Sequence, residues 1–448
     1  MTLSGLAFVI AFFSGLVMAF ARHPIFGLYT YVAVFYLHPP SRWWGAFLPD
    51  LRWSLLAALV TLIAVFRLPD QPNRQSWYSA TPAKWLIVFS GWVWIQSLWA
   101  MSPVDQSDLV ILYTKYILLF YLVYRLIDTP QRVRDFLIVN LIGCAYLGWL
   151  GYSTPVSGRL EGVGGPGIDE ANALAMQLAV ALITGAMIII AEKRWRFWLC
   201  LLCLPLVLNT IVLAGSRSAF LAVLVAGVVL WWMKPGEYRK LFYSFAALGI
   251  VLMGILAHDI FWERIGTLKA TVDETQEMDT SAESRLVLIE AQWEMAKLHP
   301  FGAGHRGTEV LSVSYLDPKY LARRADGSLG ARSSHNTFMT ALVEQGIPGA
   351  VIFVMLWFWC FRATRQINRV GTLSSEVRTD VAGVAGALTV VFVAGMFVDY
   401  LKAEIQIWLF ALLASLQAQA RSESQSRLPI AKSMLSGNSR ASIASGAN

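Results

Sequence analysis

Four short stretches of the sequence set ionisable side chains against apolar runs, and their residue types suit anion binding and proton transfer. The first is Arg159-Leu160-Glu161-Gly162-Val163-Gly164-Gly165-Pro166-Gly167-Ile168-Asp169-Glu170-Ala171-Asn172. Its glycines let the backbone approach a ligand closely. Asp169 and Glu170 also suit the start of the next helix, and a capped turn accounts for Asp169 and Asn172 but not for Arg159. The second is Gly215-Ser216-Arg217-Ser218, a tight turn between apolar runs in which Arg217 is the only charge. The third runs from Ser284-Arg285 past Trp293 to His299-Pro300-Phe301-Gly302-Ala303-Gly304-His305-Arg306. There Arg285 reads equally as a solvated helix charge. The fourth is Ser334-His335-Asn336-Thr337-Phe338, opening an apolar helix that carries Glu344, Gln345, Gly346 and Pro348.

Arginine presents a planar fork that grips phosphate or carboxylate bidentately. Histidine, with an ordinary pKa near about 6.5, can take a proton at neutral pH. A lone histidine is more often structural, but His335 stands at a helix start directly after a long polar insertion. No His-x-x-x-His or carboxylate cluster lies near it to form a metal site, and the chain contains no Asp-x-Asp.

The elements that must position these groups are membrane helices. Of the 448 residues, 56% are hydrophobic and 15% charged, with a mean hydropathy of +0.54. Soluble globular chains carry about 25% charged residues, so too little polar surface exists to cover a water-facing body. Disorder, a coiled coil and a collagen-like fibre are excluded by the same composition. The net charge of +7 fits cytoplasmic loops rich in Lys and Arg better than a nucleic-acid partner. The cysteines Cys144, Cys200, Cys203 and Cys360 all lie in apolar runs and read as small buried residues. The run from Leu3 to Phe20 lacks a basic n-region and reads as a retained segment, not a cleaved signal.

Connections rich in Lys and Arg, such as Arg67 to Lys84, Arg125 to Arg134, Lys193 to Arg196 and Arg362 to Arg378, alternate with poor ones. The poor set is Ser102 to Asp108, Thr154 to Glu170, Gly215 to Ser218 and Asp399 to Glu404. The positive-inside rule puts the basic set in the cytoplasm. An external Arg217 then has no topological reason to be there, which favours a functional role over snorkelling. The stretch 24–38 is short for a crossing of about 20 residues, so it or its neighbour is expected to cross only partly. The result is an all-α polytopic membrane protein of about twelve helices with both termini cytoplasmic. The expected divisions are a transmembrane bundle (1–257), an external, partly helical loop (258–334), C-terminal transmembrane helices (335–420) and a disordered tail (421–448). The loop holds twelve of the 29 acidic residues.

Taken in order, the arginine-glycine loop, the Ser-Arg turn, the Arg-led helix ending in Pro-x-Gly-x-Gly and the His-Asn with Glu-x-Gly resemble the O-antigen ligase and polymerase superfamily. These are bacterial envelope glycosyltransferases. The resemblance covers residues 150–360 well and the remainder by hydropathy. It implies a GT-C-like enzyme of the inner membrane that takes a glycan from undecaprenyl diphosphate on the periplasmic face. In the ligase branch, which the chain is most like, the acceptor is a sugar hydroxyl of lipid A–core. The resemblance marks His335, Arg217 and Arg285 as essential, with Arg159 a looser match and Asn336, Arg306 and Glu344 as possible support. His335 is then the base, and the arginines hold the donor diphosphate in place of a metal ion. No cofactor is expected, and one displacement at the anomeric carbon inverts it.

Two relatives of that reading remain open: a ligase that glycosylates secreted protein, to whose exosortase-associated branch Trp262-Glu263-Arg264 and Asp279 to Arg285 are similar, and a polymerase of lipid-linked glycan. A lipid-linked glycan transporter is the alternative of a different class. It would need facing charges at mid-bilayer, for which Lys115 and Glu344 are the candidates. No inverted pair of broken helices supports it.

Overall fold

The computed structural model describes residues 2–444 except 70, 72–73, 155–158, 234–242, 244–246, 248–279, 324–328 and 372, and side chains except those of 280–282, 322–323 and 425–444. Nearly all of the expected span 241–258, and the stretch holding Trp262-Glu263-Arg264 and Asp279, lie outside the described residues.

The fold is mostly helical. In chain order the helices are α1 (Leu3–Ala21), α2 (Ile25–Leu37), α3 (Trp53–Val65), α4 (Thr81–Gln96), α5 (Pro103–Leu126), α6 (Pro130–Ser153) and α7 (Ala171–Ala191). They continue with α8 (Trp195–Ala214), α9 (Arg217–Met233), α10 (Thr280–Leu298), α11 (Gly307–Tyr315), α12 (Thr337–Asn368), α13 (Ser375–Ala394) and α14 (Glu404–Ala444). A two-residue antiparallel pair joins β1 (Ala322–Arg323) to β2 (Leu329–Gly330). Among the described residues seven helices are long and apolar enough to cross a membrane, and α3 and α9 are shorter apolar helices. The chain is a multi-pass membrane protein on that count.

Local sequence sets the helix ends. Pro103 and Pro130 sit in the first turns of α5 and α6, where a missing N–H costs nothing. Thr129 caps α6 by accepting from Arg132 N–H at 3.3 Å, and Ser374 caps α13 through Val377 N–H at 3.4 Å. Gly215, at φ +57°, ends α8 in the left-handed conformation that glycine adopts without strain. At the centre stand α7 and α13, with 89% and 83% of their apolar windows buried. The first is rich in Ala and the second in Ala and Gly, small residues that let backbones approach closely. At 28% buried, α1 is peripheral.

Contacts sort the connections into two ends, as the charge alternation predicts. At one end Gln71 bonds Asp128, Arg74 bonds Ser415, Arg134 pairs with Glu192 and Asp380, and Arg421 bonds Gln75. All the stretches singled out for chemistry gather at the other end, called the site end below.

The N-terminal helices depart from expectation. Phe8, in the first half of α1, packs on Trp44 and Trp53 with ring centroids 5.3 Å apart, while Phe20 O accepts from Arg67 at the basic end. Thus α1, α2 and α3 each run from one end to the other. Three such helices before α4 put Thr2 at the site end, away from Arg421. Length alone misled the sequence reading, because α2, though only 13 residues long, is continued by the turns Pro39–Ser41 and Trp43–Gly45. The last helix also departs, since α14 continues through Arg421 to Ala444 where a disordered tail is expected. A helix nucleated by the buried stretch 404–420 needs only propagation to extend.

The expected single crossing from residue 335 is instead two helices joined at a kink. Within α12, Gly346 has φ +66° and ψ −176°, a conformation open essentially to glycine alone. The part beyond it, Ile347 to Asn368, spans about 33 Å at 1.5 Å per residue, enough to cross. The part before it is a short helix lying over the site end.

Candidate active site

Two groups of side chains form at the site end, and one turn ties them together. The first group surrounds Asn172. Arg159 donates from Nη2 to Asn172 Oδ1 at 2.7 Å and from Nε to Ala214 O at 3.1 Å. Ser216 Oγ donates to the same Asn172 Oδ1 at 2.9 Å. Ser216 also accepts from Ala219 N–H at 3.4 Å, so it caps α9 and places Arg217 as that helix's first residue. An arginine at a helix N-terminus adds its fork to the positive end of the helix dipole, which suits a phosphate.

The glycine loop that carries Arg159 is folded on itself. Gly162, Gly165 and Gly167 have φ of +77°, +92° and +83°. Asp169 Oδ1 accepts from Gly165 N–H at 2.9 Å instead of capping α7. Arg42 braces the loop from outside: it is 7% exposed and donates to Leu37 O, Tyr36 O and, at 2.9 Å, Val163 O. The His38 side chain rests against Gly165, and burial followed by the Arg42 charge holds its imidazole below the ordinary value.

The second group surrounds His335. Burial, then the charges of Arg332 and Arg285, hold its imidazole well down, at about 4. Those two guanidiniums therefore stand near the ring. Helix α10, which carries Arg285, is tied to this segment by Gln292 Nε2 donating to Ser334 Oγ at 2.9 Å. Asn336 caps α12, its Oδ1 accepting from Phe338 and Met339 N–H at 2.9 and 3.1 Å.

The turn between α13 and α14 joins the groups. Asn336 Nδ2 donates to Met396 O at 3.1 Å, Thr337 N–H to Gly395 O at 2.8 Å and Thr337 Oγ1 to Val398 O at 2.8 Å. Two residues further on, Tyr400 OH donates to Asn172 O at 2.9 Å. Asp399, half-buried beside them, has its carboxyl pushed up to about 7 by burial and then by the Glu344 charge.

Glu344 and Arg306 serve elsewhere than beside His335. Glu344 is 4% exposed and bonds His305 Nδ1 at 3.1 Å. Arg306 pairs with Asp105 at 3.2 Å and Glu309 at 3.5 Å. Lys115 is exposed, so it and Glu344 do not face each other. The Pro-x-Gly-x-Gly stretch interlocks with the break in α12. Ala303 and Gly304 N–H donate to Val343 and Glu344 O, and Ile347 N–H donates to Pro300 O at 2.8 Å. Gln96 Nε2 clamps both strands, donating to Phe301 O and Glu344 O at 3.0 Å.

The residues that sequence reasoning missed are Tyr400, Asp399, Arg332 and Lys402, while Asn172 and His305 stood in the named stretches without a site role of their own. Asn172 had looked like a helix cap. Tyr400 and Lys402 lie in the Lys- and Arg-poor connection from Asp399 to Glu404, a signal available in the sequence.

No curated protein matches the chain. Residues 202–354 match the family model for O-antigen ligase, a span that includes Arg217, Arg285, His335 and Glu344 and leaves Arg159 outside. The chain thus carries a stretch, residues 202–354, that matches the O-antigen ligase family, and that match supports the O-antigen ligase and polymerase superfamily of membrane glycosyltransferase-like enzymes.

Proposed function

We propose that this chain is an O-antigen ligase of the bacterial inner membrane. In this reading it moves a glycan from undecaprenyl diphosphate to a sugar hydroxyl of lipid A–core on the periplasmic face. The observation that carries the reading is a half-buried His335, held neutral by burial beside the guanidiniums of Arg285 and Arg332, within the domain matched to the family. A neutral imidazole can accept a proton, and a neighbouring guanidinium suits a diphosphate.

The mechanism follows from charge. His335 takes the proton of the acceptor hydroxyl as its oxygen attacks the anomeric carbon. The bond from that carbon to the phosphate oxygen breaks, and the electron pair leaves with the diphosphate. Arg217 and Arg285, with Arg159 behind the Ser216 turn, hold the leaving group where negative charge grows, a contribution that is often the largest in catalysis. A single displacement inverts the anomeric centre. Because burial, then Arg332 and Arg285, hold the His335 pKa down, a bound diphosphate that offsets these cations raises that pKa and makes His335 a stronger base when substrate is present. The absence of Asp-x-Asp and the set of arginines favour transfer without a metal.

The test is transfer by the purified chain from a lipid-linked donor to three acceptors offered separately. Product on lipid A–core supports the ligase. Product only on secreted protein, or only on a second lipid-linked glycan, replaces the acceptor with that one. Flipping of donor across vesicles with no product replaces the enzyme with a transporter.

A further inference from the structure

Lys402 ends a hydrogen-bonded chain that begins on a buried carboxylate. Its Nζ lies 3.3 Å from His305 Nε2, and His305 Nδ1 lies 3.1 Å from Glu344 Oε2. An ammonium can only donate, so Nε2 is the bare nitrogen and Nδ1 carries the proton toward Glu344. His305 and Glu344 are 7% and 4% exposed, whereas Lys402 is exposed. Their backbones are fixed as well. His305 N–H donates to Gln106 Oε1 at 2.7 Å, and Gly304 N–H to Glu344 O at 3.0 Å.

Burying a carboxylate and an imidazole is costly unless their polar atoms are satisfied, and here the arrangement aims one lysine. A free lysine is a mobile point charge on a flexible stem; this one is held at its tip, with two N–H donors beyond the bond to His305. Among the described residues no carboxylate lies within the 4.0 Å of an ion pair with it. It also belongs to the turn that touches both groups of the site: Asn336 and Thr337 beside His335, and Asn172 beside Arg159 and Ser216. At that end the positive-inside bias gives no reason for a lysine.

We propose that Lys402 is a further anion contact for substrate, aimed by His305 and Glu344 at the diphosphate that the arginines hold. This rests on the proposed function, since the diphosphate is that reading's leaving group. Lys402 works as a binding group, and His305 is a positioning residue acting through it.

Binding of inorganic pyrophosphate to the purified full chain tests the proposal, with thermal unfolding of each variant recorded alongside. Lys402→Met should weaken binding about tenfold, the scale of one charged hydrogen bond, while leaving the unfolding temperature near wild type. Lys402→Arg should recover most of it. His305→Gln, whose amide can still accept from lysine and donate to Glu344, should bind nearly as wild type, and His305→Leu should match Lys402→Met. The double variant should be no weaker than either of those. In transfer assays Lys402→Met should raise the KM for lipid-linked donor and leave kcat within about twofold. Pyrophosphate binding that is unchanged in Lys402→Met, or undetectable in wild type, overturns the proposal. Transfer by wild type in either case leaves the proposed function standing. A variant that loses stability without losing affinity assigns the chain of bonds to folding and overturns the proposal too.

Discussion

At the scale of single residues, the arginines and the histidine stood out as candidates because a charge at a membrane boundary has few bland reasons to exist. Their partners were not. Tyr400 meets Asn172 across 228 residues, and nothing local in either segment encodes the other. His335 makes a pH prediction. With its imidazole held at about 4, the acid limb of kcat/KM, which reports the free enzyme, should fall near pH 4. An unshifted histidine would put it near about 6.5. Arg332→Gln removes a positive neighbour, so the His335 pKa rises and the limb should move to higher pH. A limb that stays in place separates His335 from the rate. Arg217→Lys and Arg285→Lys keep the charge but lose the planar fork, and should transfer well below wild type. Equal turnover would leave those arginines with only structural parts.

At the scale of elements, helices and their order followed from apolar runs and caps, but the break in α12 did not. In the sequence Gly346 and Pro348 sit inside one apolar run; only the packed structure explains the break, because the Pro300–Gly304 stretch fills the gap. A Cβ at Gly346 would stand 2.3 Å from Phe301 C and 2.4 Å from Gly302 N, where nothing but backbone can yield. Gly346→Ala should therefore destabilise by about 1–3 kcal/mol or more, lowering the unfolding temperature of the solubilised protein and reducing transfer as Glu344 and His305 lose register. Gly227, in α9, has nothing within 4 Å of its Cβ position; Gly227→Ala should leave both quantities near wild type. Similar losses at both positions would contradict the interlock.

At the scale of the whole molecule, the alternation of basic and non-basic connections sorted the chain into two ends, and every predicted site segment did gather at one of them. Parity failed at the N-terminus because α2 is short enough to look partial, yet it runs from one end to the other. Single-cysteine labelling with an impermeant reagent checks this, helped by the burial of all four native cysteines. Cysteine at Thr2, Gly167 and Phe301 should label from one side, and cysteine at Lys193 and Arg369 from the other. Thr2 labelling with the basic set would restore the even count of crossings.

The central claim is that His335 takes a proton from an acceptor hydroxyl while arginines hold the diphosphate. The most direct measurement is single-turnover transfer from lipid-linked donor to lipid A–core by purified wild type and His335→Ala, with donor binding measured on the same samples. The loss expected for a general base is about 10²–10⁴ in rate with donor affinity preserved. A His335→Ala protein that binds donor and transfers glycan at the wild-type rate would contradict the account.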